Sequence, residues 1–135
     1  ISGPFLDRID LQVDVPKINS NEFSEQVKER GQSSKAIRQR VIRARDVALA
    51  RSGKPNTRLG SKEVQEYCLL STDDQQFLQG AVEKLGLSLR TYHRVLKVSR
   101  TIADLAGEPL ITRRHLAEAL NYRAFDRMLA QLAFN

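Results

Sequence analysis

The sequence predicts an all-α protein, a small bundle of four or five helices preceded by one orphan strand and a linker. Apolar residues recur at helical spacing from residue 34 to residue 123, and glycines follow three of the resulting stripes. Only residues 9–15 alternate apolar and polar side chains with a period of two. At 135 residues, of which 41% are hydrophobic, the chain is long enough for one domain with a core.

The alternating stretch lies in the opening sequence ISGPFLDRIDLQVDVP and predicts a half-buried strand over residues 9–15 that Pro16 ends. A strand needs neighbours for its backbone N–H and C=O groups, and no other segment has strand character. We therefore expect its partner strands upstream in a longer protein, as the missing start methionine also indicates. We expect residues 1–33 to be largely disordered in this chain or paired in a non-native way. The apolar face of the strand would comprise Ile9, Leu11, Val13 and Val15.

Residues 16–33 are polar and rich in turn formers, which predicts a linker. Helical periodicity with serine or threonine caps follows, and residues 34–123 are predicted to form the helical domain. The tail 124–135 is only weakly helical. The predicted helices span about 34–51, 61–68, 72–85, 89–106 and 113–122. Their predicted core positions include Ile37, Val41, Ala44, Ala48, Leu49, Leu89, Val95, Leu96, Ala103 and Ala106.

Composition excludes several classes of protein. No apolar run approaches the roughly 18 residues that a membrane span needs. The lone Cys68 cannot form an internal disulfide, and we expect no bound metal because His93 and His115 are isolated from each other. A reducing cytoplasm is therefore the expected location. The net charge of +6 permits binding to nucleic acid or phosphate without requiring it.

The sequence contains no visible catalytic apparatus of its own. A phosphate-binding loop of the form G-x-x-x-x-G-K-[ST] is absent. Ser52-Gly53-Lys54 resembles the end of such a loop, but it lacks the first glycine and follows a helix instead of a strand. There is also no catalytic triad and no carboxylate pair with a definable site.

The helix predicted over residues 35–54 is strongly basic, with seven Lys or Arg residues against the single Asp46. Two interpretations stay open. The charges can form the solvated face of an amphipathic helix, or they can follow a nucleic-acid backbone, where each phosphate contact adds salt dependence. No aromatic residue lies among them to stack on bases. The candidate nucleic-acid contacts are Arg38, Arg43 and Arg45.

Arg90 is predicted in the first turn of its helix, where a cation opposes the helix macrodipole. An arginine at this position makes sense if it reaches an anion, because a helix N-terminus also offers free N–H groups to phosphate. Arg113 and Arg114 likewise open a helix, so the position alone does not decide between a phosphate contact and an ordinary surface arginine.

Three stretches, SGPFLDRIDLQVDVP, SLRTYHRVLKVSRTIADLAG and ITRRHLAEALNYR, occur in this order along the chain. In them the sequence resembles the C-terminal part of the magnesium-chelatase-like AAA+ ATPases of the ComM/YifB type. The resemblance covers residues 1 to about 123 and is weak in the linker and the tail. The sequence departs from the family pattern at Phe5, Gln12, Lys97 and Ser99.

The resemblance implies that residues 1–33 end the ATPase core and that the helices after them form the lid over its nucleotide. Arg8 then matches the arginine finger, which reaches the γ-phosphate of a neighbouring subunit. Arg90 matches the sensor-2 arginine, which contacts the γ-phosphate from the lid. The resemblance implies that the parent protein is an ATP- and Mg²⁺-dependent ring motor of six identical subunits, linked to DNA uptake and recombination. The Walker motifs would lie upstream, so the chain alone would neither bind the nucleotide nor be catalytic.

Three functions are therefore open at the level of sequence. The first is a nucleotide-sensing lid that couples subunits. The second is a stand-alone basic module that binds nucleic acid through the helix at 35–54. The third is a structural piece that oligomerises through the apolar C-terminal segment.

Overall fold

The computed structural model describes Phe5 and residues 8–13, 15–17 and 31–123. Within these residues the chain forms five α-helices and no strand, which confirms the predicted all-α bundle. A short 3₁₀ helix between the first two α-helices was not predicted. The elements are α1 (Ser34–Ser52), the 3₁₀ helix (Asn56–Arg58), α2 (Ser61–Tyr67), α3 (Thr72–Leu85), α4 (Leu89–Leu105) and α5 (Arg113–Asn121).

The helix ends follow from capping residues that the sequence shows. Ser33, Ser71 and Ser88 precede α1, α3 and α4, and each side-chain oxygen accepts a backbone N–H bond of 3.1–3.2 Å from the first turn. Gly53 and Gly86 follow α1 and α3 with φ of 78° and 64°. In this left-handed region a Cβ is disfavoured, so glycine stops both helices at low cost.

Helix α4 is the centre of the bundle. It packs against α1, α2, α5 and the 3₁₀ helix, while α3 packs against α5. Burying this interior is the main source of stability, at about 25 cal/mol for each Å² of apolar surface removed from water. The cluster of buried side chains comprises Leu59, Val64, Cys68, Leu78, Val95, Leu96, Ala103, Ile111, Leu116, Ala119 and Leu120.

Helix α1 departs from its predicted packing. Only Ala44 and Ala48 are buried, whereas the predicted core residues Ile37, Val41 and Leu49 are 40–49% exposed. The two small alanines let the α1 backbone approach α4, but no described element covers the remainder of the apolar stripe. Nowhere in the described ranges is a helix both long and apolar enough to cross a membrane.

The prediction of core positions is also wrong at both ends of α4. Leu89 is 71% exposed, and Ala106 is exposed just after the helix. Ala103 and Asp104 in the last turn are buried, so only the terminal positions 89 and 106 lie beyond the packed part of the stripe. Amphipathic spacing therefore identified which face of α4 is buried, but it overestimated how far the buried stripe extends along the helix.

The described part of the opening stretch forms an isolated parallel bridge between Gln12 and Arg123 instead of a strand. Leu11, Val13 and Val15 are 51–76% exposed, because no second strand or helix covers their face in the described ranges. Most of residues 1–33, and all of the tail 124–135, lie outside the described residues. Residues 8–12 contact the helical domain. Disorder in the remainder of 1–33 and association through the tail stay predictions.

Candidate functional site

Arg90 is the second residue of α4, as predicted, and its side chain is exposed. Ser88 Oγ accepts the Thr91 N–H at 3.2 Å, which leaves the earlier N–H groups of Leu89 and Arg90 without an acceptor inside the helix. In the described part of the chain the Arg90 guanidinium has neither an ion-pair nor a hydrogen-bond partner. The start of α4 thus presents unsatisfied donors and an unneutralised positive charge.

The start of α5 provides an internal comparison, because Arg113 and Arg114 occupy its first turn. Arg113 Nε lies 3.2 Å from Asp74 Oδ1, and its guanidinium stacks 4.9 Å above the centre of the Phe77 ring. Arg114 pairs with Glu108. Both arginines of α5 are therefore engaged within the bundle, and Arg90 is not.

A cleft of about 750 Å³ opens beside Arg90. Arg94 and Lys97 also line it, at four and seven positions after Arg90 and hence on the same face of α4. Three cations thus lie along this face of α4, and the cleft is also lined by the carboxylates of Asp10 and Glu118. Its apolar lining consists of Leu59, Val64, Leu89, Val98, Ile102 and Leu105.

Arg94 and Lys97 were not among the predicted site residues, although their spacing from Arg90 could have identified them. Lys97 Nζ donates to the Thr57 carbonyl at 3.2 Å, which ties α4 to the 3₁₀ helix. Arg94 Nη1 donates to the Asp10 carboxylate and, at 3.2 Å, to the Arg8 carbonyl. Arg94 and Lys97 are therefore both bonded to neighbouring residues, whereas Arg90 has no described partner.

Arg8, the second predicted site residue, is exposed and has no described partner for its guanidinium. Its backbone is held: the Arg8 N–H donates to the Phe5 carbonyl at 3.2 Å, and its carbonyl accepts the bond from Arg94. The structure thus brings the backbone of Arg8 to Arg94, one helical turn from Arg90. Arg8 and Arg94 are 86 positions apart in sequence, which gave no sign of this contact.

A buried charge cluster lies at the other end of α4. Asp104 accepts hydrogen bonds from Arg51 and from Asn56 and lies 3.2 Å from Arg100 Nη2. Arg100 also donates to the carbonyls of Glu108 and Pro109. Burial lowers the pKa of the Arg100 guanidinium, and the nearby Asp104 carboxylate opposes this shift. Both arginines pair with the buried Asp104 carboxylate, which indicates a structural role for the cluster.

The three arginines proposed for nucleic acid, Arg38, Arg43 and Arg45, are exposed on α1 and have no described partner. Arg38 and Arg45 are seven positions apart and share one side of the helix. Arg43 lies about 150° around the helix axis from both. The three therefore do not form one continuous patch on α1.

Comparison with known families identifies the domain. The family model described as "Magnesium chelatase, subunit ChlI C-terminal" matches residues 31–123, more than two thirds of the chain. The chain belongs to this family. The matched range coincides with the described helical domain, so the fold and the family assignment concern the same residues.

Curated relatives confirm the resemblance to the ComM/YifB type. The chain is 49% identical to the competence protein ComM of Haemophilus influenzae over 133 residues, covering 98% of the chain and 26% of the relative. It is 45% identical to YifB of Escherichia coli over 132 residues, with coverage of 98% and 26%. A Mycobacterium bovis protein, Mb2921c, is 32% identical over 127 residues, with coverage of 91% and 25%. The chain thus spans about a quarter of the length of these relatives.

Proposed function

We propose that this domain is the nucleotide-sensing lid of an ATP-hydrolysing AAA+ ring motor, in which Arg90 contacts the γ-phosphate. The observation that carries the proposal is Arg90, which has no described partner at the edge of the cleft and lies beside two free backbone N–H groups. Guanidinium and N–H groups are the donors that bind phosphate oxygens. Membership of the magnesium chelatase C-terminal family supports this assignment over an unrelated anion site.

The proposed chemistry is electrostatic. Phosphoryl transfer spreads negative charge over the oxygens of the transferred group, and a positioned arginine stabilises that charge without a proton transfer. Arg90 would hold its positive charge at the γ-phosphate from the lid. Arg8, exposed on a fixed backbone, would do the same for the nucleotide bound by a neighbouring subunit.

The remaining requirements would be met by other parts of the parent protein. The described residues contain no group of three or more His, Cys, Asp or Glu side chains that could hold a metal ion. We propose that residues of an upstream ATPase core hold ATP and Mg²⁺. We further propose a ring of six identical subunits that acts on DNA, as the resemblance to the ComM/YifB type implies.

The test is ATP turnover by the full-length protein with Arg90→Ala, compared with Arg113→Ala. Both variants remove an arginine from the first turn of a helix in the same domain. We expect turnover to fall by about 100-fold or more for Arg90→Ala, in the range seen when one transition-state donor is removed. We expect Arg113→Ala to stay within about threefold of the unmodified protein. Near-normal turnover in Arg90→Ala, with the thermal transition unchanged, would defeat the assignment.

A second candidate function is DNA binding through α1. It is supported by the exposure of Arg38, Arg43 and Arg45 and by the lack of described partners. The test measures binding of the chain to duplex and single-stranded DNA between about 50 and 200 mM salt, with and without neutralisation of the three arginines. Absence of binding even at about 50 mM salt would rule this candidate out. The lid assignment does not depend on the result.

A further inference from the structure

The segment 8–12, which contains Arg8, is attached to the helical domain at several points. Arg94 of α4 donates to the Arg8 carbonyl and to the Asp10 carboxylate, and Arg123 Nη1 donates to the Ile9 carbonyl at 2.6 Å. The Gln12 N–H donates to the Tyr122 carbonyl, also at 2.6 Å. Three consecutive residues and Gln12 are thus bound to α4 and to the two residues that follow α5, all more than 80 positions away in sequence.

These contacts restrict the backbone on both sides of Arg8. The peptide before Arg8 is held through its N–H by Phe5, and the peptide after it is held through the carbonyl by Arg94. Fixing both peptide planes fixes the direction in which the Cβ of Arg8 leaves the backbone. The side chain itself remains exposed without a described partner. An arginine held this way is oriented before it meets an anion, which reduces the entropy lost on contact.

The attachment combines a buried contact with a half-exposed one. The Arg123 residue is only 2% exposed, so its bond to the Ile9 carbonyl is shielded from water. The side chains of Arg94 and Asp10 are 28% and 43% exposed, so salt and solvent weaken their ion pair. The buried bond from Arg123 therefore holds the segment in place, whereas the half-exposed ion pair of Arg94 can change when the cleft changes.

We propose that Arg94 and Arg123 are positioning residues for Arg8, and that Arg94 couples Arg8 to Arg90. The inference rests on the proposed function for the roles of Arg8 and Arg90. Arg90 and Arg94 lie one turn apart on the same rigid helix, so a shift of α4 that follows contact of Arg90 with phosphate displaces the carbonyl that Arg94 holds. The nucleotide sensed by the lid then determines where Arg8 points.

The first experiment tests the attachment itself and needs no catalytic activity. Hydrogen exchange of the Gln12 amide is measured in the 135-residue chain, in Arg94→Ala and in Asp10→Asn, with Arg113→Ala as control. We expect both variants to accelerate exchange at Gln12 by about tenfold or more, because the segment opens locally without global unfolding. We expect Arg113→Ala to leave Gln12 unchanged. Asp10→Asn leaves α4 intact and keeps the test valid if Arg94→Ala folds poorly.

The second experiment measures coupling through ATP turnover by the full-length protein. We expect Arg94→Ala to lower kcat by about tenfold with KM for ATP within about twofold, because Arg94 orients Arg8 and does not itself bind the nucleotide. Adding Arg94→Ala to Arg8→Ala should cause no further loss, since Arg94 would act only through Arg8. A structural defect would instead add to the Arg8→Ala effect and lower the thermal transition.

The outcomes separate the inference from the proposed function. Unchanged exchange at Gln12 in both variants overturns the attachment, whatever turnover shows. Faster exchange with an unchanged kcat, or losses that add in the double variant, overturns the coupling and leaves the role of Arg90 intact. If Arg8→Ala and Arg90→Ala both turn over ATP normally, the proposed function fails and the coupling falls with it. Faster exchange would then identify a purely structural attachment.

Discussion

Each end of helix α4 carries a charge that the helix macrodipole disfavours, but only the charge at the C-terminal end has partners among the described side chains. The helix macrodipole disfavours a cation in the first turn and an anion in the last, yet Arg90 lies in the first turn of α4 and Asp104 in its last. At the C-terminal end, Arg51, Arg100 and Asn56 surround Asp104. At the N-terminal end no described side chain compensates Arg90.

The difference separates a buried charge that is paired within the domain from an exposed charge that is available to a ligand. A buried charge must be neutralised by its own protein, because its desolvation would otherwise unfold the domain. An exposed charge in an unfavourable field can be tolerated if the cost is small, and it is then available to an external ligand. Arg90 meets this second condition, and the comparison makes predictions for each end of α4.

The largest effect is expected at the C-terminal end, in Asp104→Asn. The substitution leaves Arg51 and Arg100 close together without a counter-charge, and we expect the free energy of unfolding to fall by about 3–5 kcal/mol. Asp46→Asn on the exposed surface of α1 is the matched control and should change it by less than about 0.5 kcal/mol. Urea denaturation of the chain measures both. Equal effects of the two substitutions would show that the cluster contributes no special stability.

Cys68 offers a reporter for the same end of α4, because its buried thiol lies within electrostatic reach of Arg100 and Arg51. Burial raises the pKa of the thiol from an ordinary value of 9.0 to about 11. Well below the ordinary pKa of 9.0 the thiol is protonated in both the folded and the unfolded state. As the pH rises towards about 11 the unfolded state loses its proton first, so this contribution to stability is progressively lost.

We therefore expect the unfolding free energy of the unmodified chain to fall in this interval relative to that of Cys68→Ala. Alkylation at pH 8 should be slow in the folded chain and faster in Asp104→Asn, with no change in Arg90→Ala. Rapid alkylation of the unmodified folded chain would contradict the burial of Cys68.

The smallest effects concern the two helix starts and have opposite signs. Without nucleotide, Arg90→Ala should stabilise the chain by about 0.3–1 kcal/mol at low salt, because it removes a cation from the positive end of α4. Arg113→Ala also removes a cation from a helix start, but the lost ion pair with Asp74 and the lost stacking contact with Phe77 outweigh that gain, and the net destabilisation should be less than about 1 kcal/mol. Thermal melts at low and high salt measure both. A destabilised Arg90→Ala would show that Arg90 has a structural partner.

Most of the fold could be predicted from the sequence, because helix caps and periodicity are local signals. Helix starts are marked by the serine caps Ser33, Ser71 and Ser88, and two helix ends are marked by the glycines at 53 and 86. The depth of burial could not be predicted in this way. Ile37 and Val41 continue the stripe of Ala44 and Ala48, but burial depends on whether another element lies opposite.

The candidate site was predictable only in part. Position and family resemblance single out Arg90 and Arg8 as candidates, and neither role is tested by the structure. Arg94 and Arg123 contact the backbone carbonyls of residues 8 and 9, and a carbonyl has no signature in the amino-acid sequence. The charge cluster at Asp104 was missed as well, although the i, i+4 spacing of Arg100 and Asp104 was a usable signal.

By itself, the sequence determined the helical class, the helix ends and the family, because each of these depends on local patterning or on matched residues. Which arginines have a partner within the domain depends on the tertiary structure. Arg90 and Arg113 both occupy the first turn of a helix, and both oppose its macrodipole. Arg113 contacts Asp74 and Phe77, whereas Arg90 faces an open cleft. Pairing depends on which groups the fold brings within about 4 Å.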